Sequence, residues 1–216
     1  MDILLIISGV IIAYLIGSIP SAIWYSKIRY GLDIRGYGSG NAGATNTFRV
    51  LGKKAGIVVM LVDVLKGFIA TNAAHILVTM HAISPDKLEL WMPLFGFAAA
   101  LGHIFPVYER FKGGKGVATL LGMLFAINLF IALLCIGVFC IVFIISKYVS
   151  LGSMLAALTF PIALLLPEFN PNEPIIIVLA FALASIVVIT HQKNIKRLLH
   201  GEENKTKISI KRRREA

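Results

Sequence analysis

Nine small or polar residues, Gly38-Ser39-Gly40-Asn41-Ala42-Gly43-Ala44-Thr45-Asn46, interrupt a chain that is otherwise mostly apolar. Three glycines within six positions let the backbone come close to a ligand, so consecutive N–H groups can converge on one oxyanion. Ser39, Asn41, Thr45 and Asn46 add side-chain donors around that nest, and Arg49 follows it. A second cluster has the same chemistry. Arg110, Lys112, Gly113, Gly114, Lys115 and Gly116 place point charge beside backbone that can approach a phosphate. The third, Lys147-Tyr148-Val149-Ser150, offers a cation and a hydroxyl. In the fourth, His191 and Asn194 stand at i,i+3 on one helical face, an imidazole and an amide suited to binding hydroxyls.

Two better-known phosphate motifs do not fit. Gly38-x-Gly40-x-x-Gly43, with Asp63 about twenty residues on, imitates a dinucleotide fingerprint, but an apolar segment precedes it and Asp63 lies inside another, so no βαβ unit can surround it. The Gly113-Gly114-Lys115 loop lacks the glycine spacing and the Lys-Ser/Thr pair of a Walker A loop. No carboxylate or histidine cluster at ligand spacing calls for a metal on the side where the four clusters lie, and no cofactor is implied. Cys135 and Cys140 sit in an apolar run as small core residues.

The elements that must carry these clusters are membrane helices. The chain has 216 residues, 57% of them hydrophobic, with a mean hydropathy of +0.83 and several apolar runs of about twenty residues. Its net charge of +10 does not imply nucleic acid, because the basic residues flank membrane segments or fill the tail. Spans are expected over residues 3–25, 55–80, 91–107, 152–166 and 175–190, the first kinked near Gly17-Ser18-Ile19-Pro20-Ser21 and too long and too weakly basic at its start for a signal peptide. Asp63 and Lys66 interrupt the second span at i,i+3, where they can pair and face the bundle interior.

Charge decides the fold between Val117 and Ser146, 30 residues without a charge. As one helix this run would be about 45 Å long, more than one span needs. Two helices turning near Asn128 give seven spans and put 19 of the 21 Lys and Arg on one side, leaving only Lys66 within a span and Lys87 opposite. A single helix would send the basic tail to the other side, against the positive-inside rule. The expectation is an all-α, polytopic membrane protein with seven transmembrane helices, the N-terminus outside and the C-terminus cytoplasmic. Residues 1–200 form one membrane domain, and residues 201–216 a basic tail that leans on anionic lipid.

This orientation places all four clusters at the inner face. It also puts His81-x4-Asp86, the spacing of one large class of glycerolipid acyltransferases, on the outer face and away from them. A phosphate transporter would need similar cradles, but it would show an inverted repeat with paired broken helices, and none is present in the sequence. A non-catalytic scaffold gives no reason for four such clusters on one side.

The clusters also carry a resemblance. Gly38-Ser39-Gly40-Asn41-x-Gly43-Ala44-Thr45-Asn46, then Gly102-His103-x-x-Pro106 with Phe111-Lys112-Gly113-Gly114-Lys115-Gly116, then Lys147-Tyr148-Val149-Ser150-Leu151-x-Ser153, then His191-x-x-Asn194-Ile195-x-Arg197-Leu198 followed by Gly201 and Glu202, resemble the bacterial integral-membrane acyl-phosphate:glycerol-3-phosphate acyltransferases. The resemblance implies an enzyme of the bacterial cytoplasmic membrane, its active site facing the cytoplasm. Such an enzyme moves a fatty acyl group from acyl phosphate to the first hydroxyl of glycerol 3-phosphate, giving 1-acylglycerol 3-phosphate and inorganic phosphate, with membrane lipid but no obligate protein partner. It further implies that Ser39, Gly40, Asn41, Gly43, Ala44, Thr45 and Asn46, with Gly113, Gly114 and Lys115, hold the acyl phosphate. Arg49, Lys115, Ser150, His191 and Asn194 would hold glycerol 3-phosphate and supply the catalytic groups.

Overall fold

The structure, a computed structural model, describes residues 2–205, and among these every regular element is helical. The first apolar run forms α1 (Ile3–Gly17) and α2 (Ser21–Tyr30), which meet at a 40° bend. Pro20 causes the break expected there, since it offers no N–H to the helix. Asp2 caps α1 by accepting from the backbone N–H groups of Leu4 and Leu5.

The second span departs from expectation. Instead of a loop lasting to Lys54, a helix starts at the end of the glycine stretch: α3 runs Ala44–Asn72, with Gly52 at φ 85° and ψ −177° breaking it internally. Only glycine takes that conformation without strain, and it separates a short segment carrying Arg49 from the apolar remainder. After α3 come α4 (Ala74–Thr79) and α5 (Leu88–Ile104), which begins three residues before the expected boundary.

The 30-residue uncharged run is two helices, α6 (Val117–Ile127) and α7 (Leu129–Ser146). Asn128 divides them with extended backbone, and its side chain caps α7 through the N–H of Ile131. Then follow α8 (Val149–Ala163), α9 (Ile175–Thr190) and α10 (Gln192–Leu199), the last two meeting at 59°. Three helical segments are long and apolar enough to cross a bilayer, five if each bent pair counts as one, while α6 and α8 are shorter apolar helices. Large apolar side chains such as Ile141, Ile144 and Ile145 on α7 stand outward, as lipid-facing residues do. The tail from residue 206 onward, expected to lean on anionic lipid, lies outside the described residues.

α5 is the central helix. Phe95, Ala98 and Ala99 share one core with α1, α3 and α4, and Ala100 belongs to another with α6 to α9. Small residues let its backbone touch that of α1: a Cβ on Gly17 would lie 2.0 Å from the Ala99 carbonyl oxygen, and one on Gly102 would lie 2.2 Å from that of Tyr14. α3 meets α6 in the same way, Gly67 against the Thr119 carbonyl and Gly122 against the Val64 carbonyl, at 2.0 and 1.9 Å for the added atom. These contacts bring both glycine-rich loops to one end of the bundle, because α3 follows one loop and α6 the other.

The two helix interfaces predict a contrast in thermal unfolding in detergent. Gly122→Ala forces a methyl group into backbone and should cost about 1–3 kcal/mol, several degrees in Tm. Gly137→Ala on α7, which meets nothing within 4 Å, should leave Tm unchanged or slightly raised.

Candidate active site

The glycine stretch is shaped as a nest before α3 begins. Gly38 and Gly40 have φ of +60° and +73°, and Gly43 is extended at the N-cap, its carbonyl accepting from Asn46 and Thr47. Ser39, Gly40 and Thr45 are exposed at this rim, where the positive end of α3 favours an anion. Asn46 is different. Its side chain is buried and fully used inside the loop: Oδ1 accepts from Ser39 N–H at 2.9 Å, while Nδ2 donates to the carbonyls of Tyr37 and Ile34 at 3.0 and 3.2 Å. Its part is therefore to hold the nest's shape: it takes up the Ser39 N–H, and the Gly40 N–H goes to the Tyr37 carbonyl at 3.0 Å, which leaves the N–H groups from Asn41 to Thr45 for a ligand.

Charge ties this loop to the one after α5. Arg35 contacts Asp33 at 2.6 Å and Glu109 at 2.9 Å, and Lys27 lies 3.8 Å from Glu109. The second loop is fastened from within: Gly113 and Gly114 donate backbone bonds to the carbonyls of Ile104 and His103, each at 3.1 Å. Gly116, with φ +83°, then turns the chain into α6. Lys115 is thereby aimed across the bundle end.

Lys115 Nζ donates to Asn194 Oδ1, joining the second cluster to the fourth. Asn194 Nδ2 donates to Glu203 Oε1 at 2.7 Å, Ser150 Oγ donates to the same oxygen at 2.8 Å, and Arg197 Nε donates to Glu203 Oε2 at 2.7 Å. Ser150, Asn194 and His191 are all buried. His191 Nδ1 lies 2.7 Å from the Val187 carbonyl, which fixes the hydrogen on Nδ1 and leaves Nε2 as an acceptor in the neutral ring. Ser150 and Asn194 thus meet on one carboxylate and Asn194 also accepts from Lys115, with the buried His191 one helical turn from Asn194. Arg49 stays exposed on the first segment of α3.

The electrostatics follow from this crowding. Burial pushes Lys115 down to about 8; the Glu203 carboxylate opposes that shift, and the Arg197 and Arg49 charges add to it. Burial, then the Lys115 ammonium, lowers His191 to about 4, so the ring is neutral near pH 7. Burial raises Glu203, but hydrogen bonds from Arg197, Asn194 and Ser150 outweigh it and leave the carboxyl below its ordinary value.

Glu203 is the member of this group that the sequence does not single out. The neighbouring Glu202 stands out there but is exposed, because spacing along the chain does not say which of two adjacent carboxylates turns inward. Among the described residues, no group of three or more His, Cys, Asp or Glu is arranged to hold a metal ion.

Known proteins resemble this chain along most of its length. The family model described as glycerol-3-phosphate acyltransferase matches residues 7–201. A glycerol-3-phosphate acyltransferase of Chlorobium phaeobacteroides (strain BS1) is 40% identical over 221 residues, covering 91% of this chain and 94% of the relative. One from Bacillus cytotoxicus is 42% identical, covering 94% and 96%. A crystal structure of PlsY (YgiH), an integral membrane glycerol 3-phosphate acyltransferase in its glycerol 3-phosphate form, superposes with a TM-score of 0.81 at 39% identity, covering 94% of this chain and 96% of the other. The lysophosphatidic acid form of PlsY superposes with a TM-score of 0.76 at 37% identity.

The Glu203 carboxylate makes a local prediction. Glu203→Gln should destabilise the protein by about 1–3 kcal/mol, because hydrogen bonds to a charged group are lost and Arg197 is left partly unpaired. Glu202→Gln should change nothing measurable in the same thermal melt. As Glu203 is depressed in the folded state, its contribution is complete above the ordinary carboxylate range near 4.5 and is lost as pH falls below it.

Proposed function

This chain belongs to the glycerol-3-phosphate acyltransferase family, and from that premise we propose that it transfers a fatty acyl group from an acyl phosphate to the first hydroxyl of glycerol 3-phosphate. The products are lysophosphatidic acid and inorganic phosphate. The observation that carries the reading is Lys115: one cation, partly desolvated, held by a glycine-rich loop against Asn194 and beside Ser150 and His191. Two phosphate-bearing substrates account for two glycine-rich loops. A fatty chain accounts for a site at the end of a lipid-facing bundle.

In this reading the acyl phosphate's phosphoryl group rests on the Ser39 hydroxyl and the N–H groups from Asn41 to Thr45, in the nest shaped by Asn46. Lys115 stands beside it, and Gly113-Gly114, whose N–H groups are spent inside the loop, permit close approach because they carry no side chain. Arg49 and Lys115 hold the phosphate of glycerol 3-phosphate, Arg49 in bidentate fashion. Ser150 Oγ, which keeps lone pairs after donating to Glu203, and His191 Nε2 are both acceptors for the second glycerol hydroxyl, which leaves the proton of the first free to move. The first hydroxyl oxygen then attacks the acyl carbonyl carbon. A carbon–oxygen ester bond forms, the bond from that carbon to the phosphate oxygen breaks, and the hydroxyl proton passes to an oxygen of the departing phosphate. A mixed anhydride is already activated, so alignment and charge supply the acceleration without an acyl-enzyme. The seven spans expected from the sequence, with the N-terminus outside and the site at the cytoplasmic face of the bacterial inner membrane, fit the same reading, since the substrates and the basic loops then share a side.

The test is phosphate release by the purified protein given palmitoyl phosphate and glycerol 3-phosphate. Release should require both, and Lys115→Ala should lower kcat/KM by about 100-fold or more. Activity from palmitoyl-coenzyme A alone would retain the acceptor and refute the donor. His191→Ala should act mainly on the KM for glycerol 3-phosphate, raising it about tenfold. A loss confined to kcat would instead make His191 the base.

A pH effect follows with a definite sign. Lys115 is charged below about pH 8 and neutral above it in the free enzyme, and a bound phosphate dianion raises it. Glycerol 3-phosphate should therefore bind more weakly as pH rises through 8 to 10, with about half a proton taken up per ligand at pH 8. Calorimetry in buffers of different ionisation enthalpy measures that uptake.

A further inference from the structure

The reaction as derived makes no use of the most deeply buried charges among the described residues. Asp63 and Lys66 on α3 are 1% and 4% exposed, well inside an apolar helix. Their carboxylate and ammonium lie 2.9 Å apart, the pairing their spacing anticipated. The partners from distant elements were not anticipated. Ser21 Oγ, at the start of α2, donates to Asp63 Oδ1 at 2.6 Å. Lys66 Nζ donates at 2.8 Å to the Ile19 carbonyl, beside the helix break at Pro20. His103 Nδ1, near the end of α5, lies 3.4 Å from the same Asp63 oxygen.

Helix packing alone would not require a histidine in this group. A buried ion pair is weak support for stability, because desolvation offsets most of the attraction. What the histidine touches on its other side is the glycine loop. A Cβ on Gly114 would lie 2.1 Å from His103 Nε2, and one on Gly113 would lie 2.1 Å from the His103 carbonyl oxygen. The same carbonyl accepts the Gly114 N–H. Ring and backbone of one residue thus form the floor on which Gly113 and Gly114 lie, and the next residue is Lys115.

We propose that Asp63 is a positioning residue for Lys115: by orienting the His103 ring, with Ser21 and Lys66 holding its carboxylate in place, it sets the height and direction of the loop that carries the lysine to Asn194. The catalytic consequence rests on the role given to Lys115 above, but the geometry does not. The two are separable by experiment.

The separating measurement is the rate at which a small amine-reactive reagent labels Lys115 in the full-length protein in detergent, read by peptide mass spectrometry, with exposed Lys54 as internal reference. Asp63→Asn keeps the shape and removes the charge. His103→Asn keeps a donor toward Asp63 and removes the ring beneath Gly114, so it carries the test if Asp63→Asn does not fold. Both should free Lys115 from Asn194 and raise its labelling several-fold relative to Lys54. They should also raise the KM for glycerol 3-phosphate more than they lower kcat. An unchanged Lys115 rate in a folded variant overturns the positioning role. Faster labelling with unchanged kinetics keeps the geometry and refutes the catalytic role of Lys115, and with it the functional half of the proposal.

Discussion

Lys115 reaches Asn194 across 79 residues of sequence, and much of the bundle is arranged so that it can. An ammonium that is mostly desolvated is costly unless donors, acceptors and a counter-charge surround it. Asn194 accepts from it, Glu203 supplies the opposite charge nearby, and Arg197 and Ser150 hold that carboxylate in place. These five residues come from four parts of the chain: the loop before α6, the start of α8, α10, which carries both Asn194 and Arg197, and the segment after it. If α5 and α6 did not bring their backbones so close to α1 and α3, the loop could not stand where the lysine meets them.

That arrangement explains why the site sits at one end of the bundle while the cores lie elsewhere. The apolar helices bury mostly small and branched residues against one another, with Phe95, Met123 and Phe160 among them, and leave a wide lipid-facing surface. Polar side chains are gathered where helices start or stop, at Gly43, Gly116, Tyr148 and His191, because there the backbone has N–H or C=O groups to spare. A site made from helix ends needs little of the helix interior. The exception is the Asp63 group, and it connects back to a helix end through His103.

Much of this was legible in the sequence, for identifiable reasons. The break at Asn128 followed from charge: only two helices in that run keep the basic loops on one side. The four clusters stood out by grouping, because glycines that lie singly in apolar runs, such as Gly67 and Gly122, pack helices, whereas those beside lysine, arginine and asparagine lie in loops. What stayed illegible depended on direction. From the sequence, the second span is expected to start at residue 55, leaving Arg49 before it, whereas the helix begins at Ala44 and absorbs that residue, with Gly52 taking up the misfit. Asn46 reads as a ligand donor but turns inward to tie the loop. The choice of Glu203 over Glu202 depends on how the chain leaves α10, and nothing local to those two residues encodes it.

In the proposed reaction two bound substrates react directly, aligned by Lys115 and its partners, with no covalent stage on the protein. Rapid-quench measurement of phosphate released when enzyme meets palmitoyl phosphate without acceptor separates this from an acyl-enzyme route. No burst is expected, only slow hydrolysis, until glycerol 3-phosphate is added. A rapid burst of one phosphate per enzyme molecule, with the acyl group left on the protein, would contradict it.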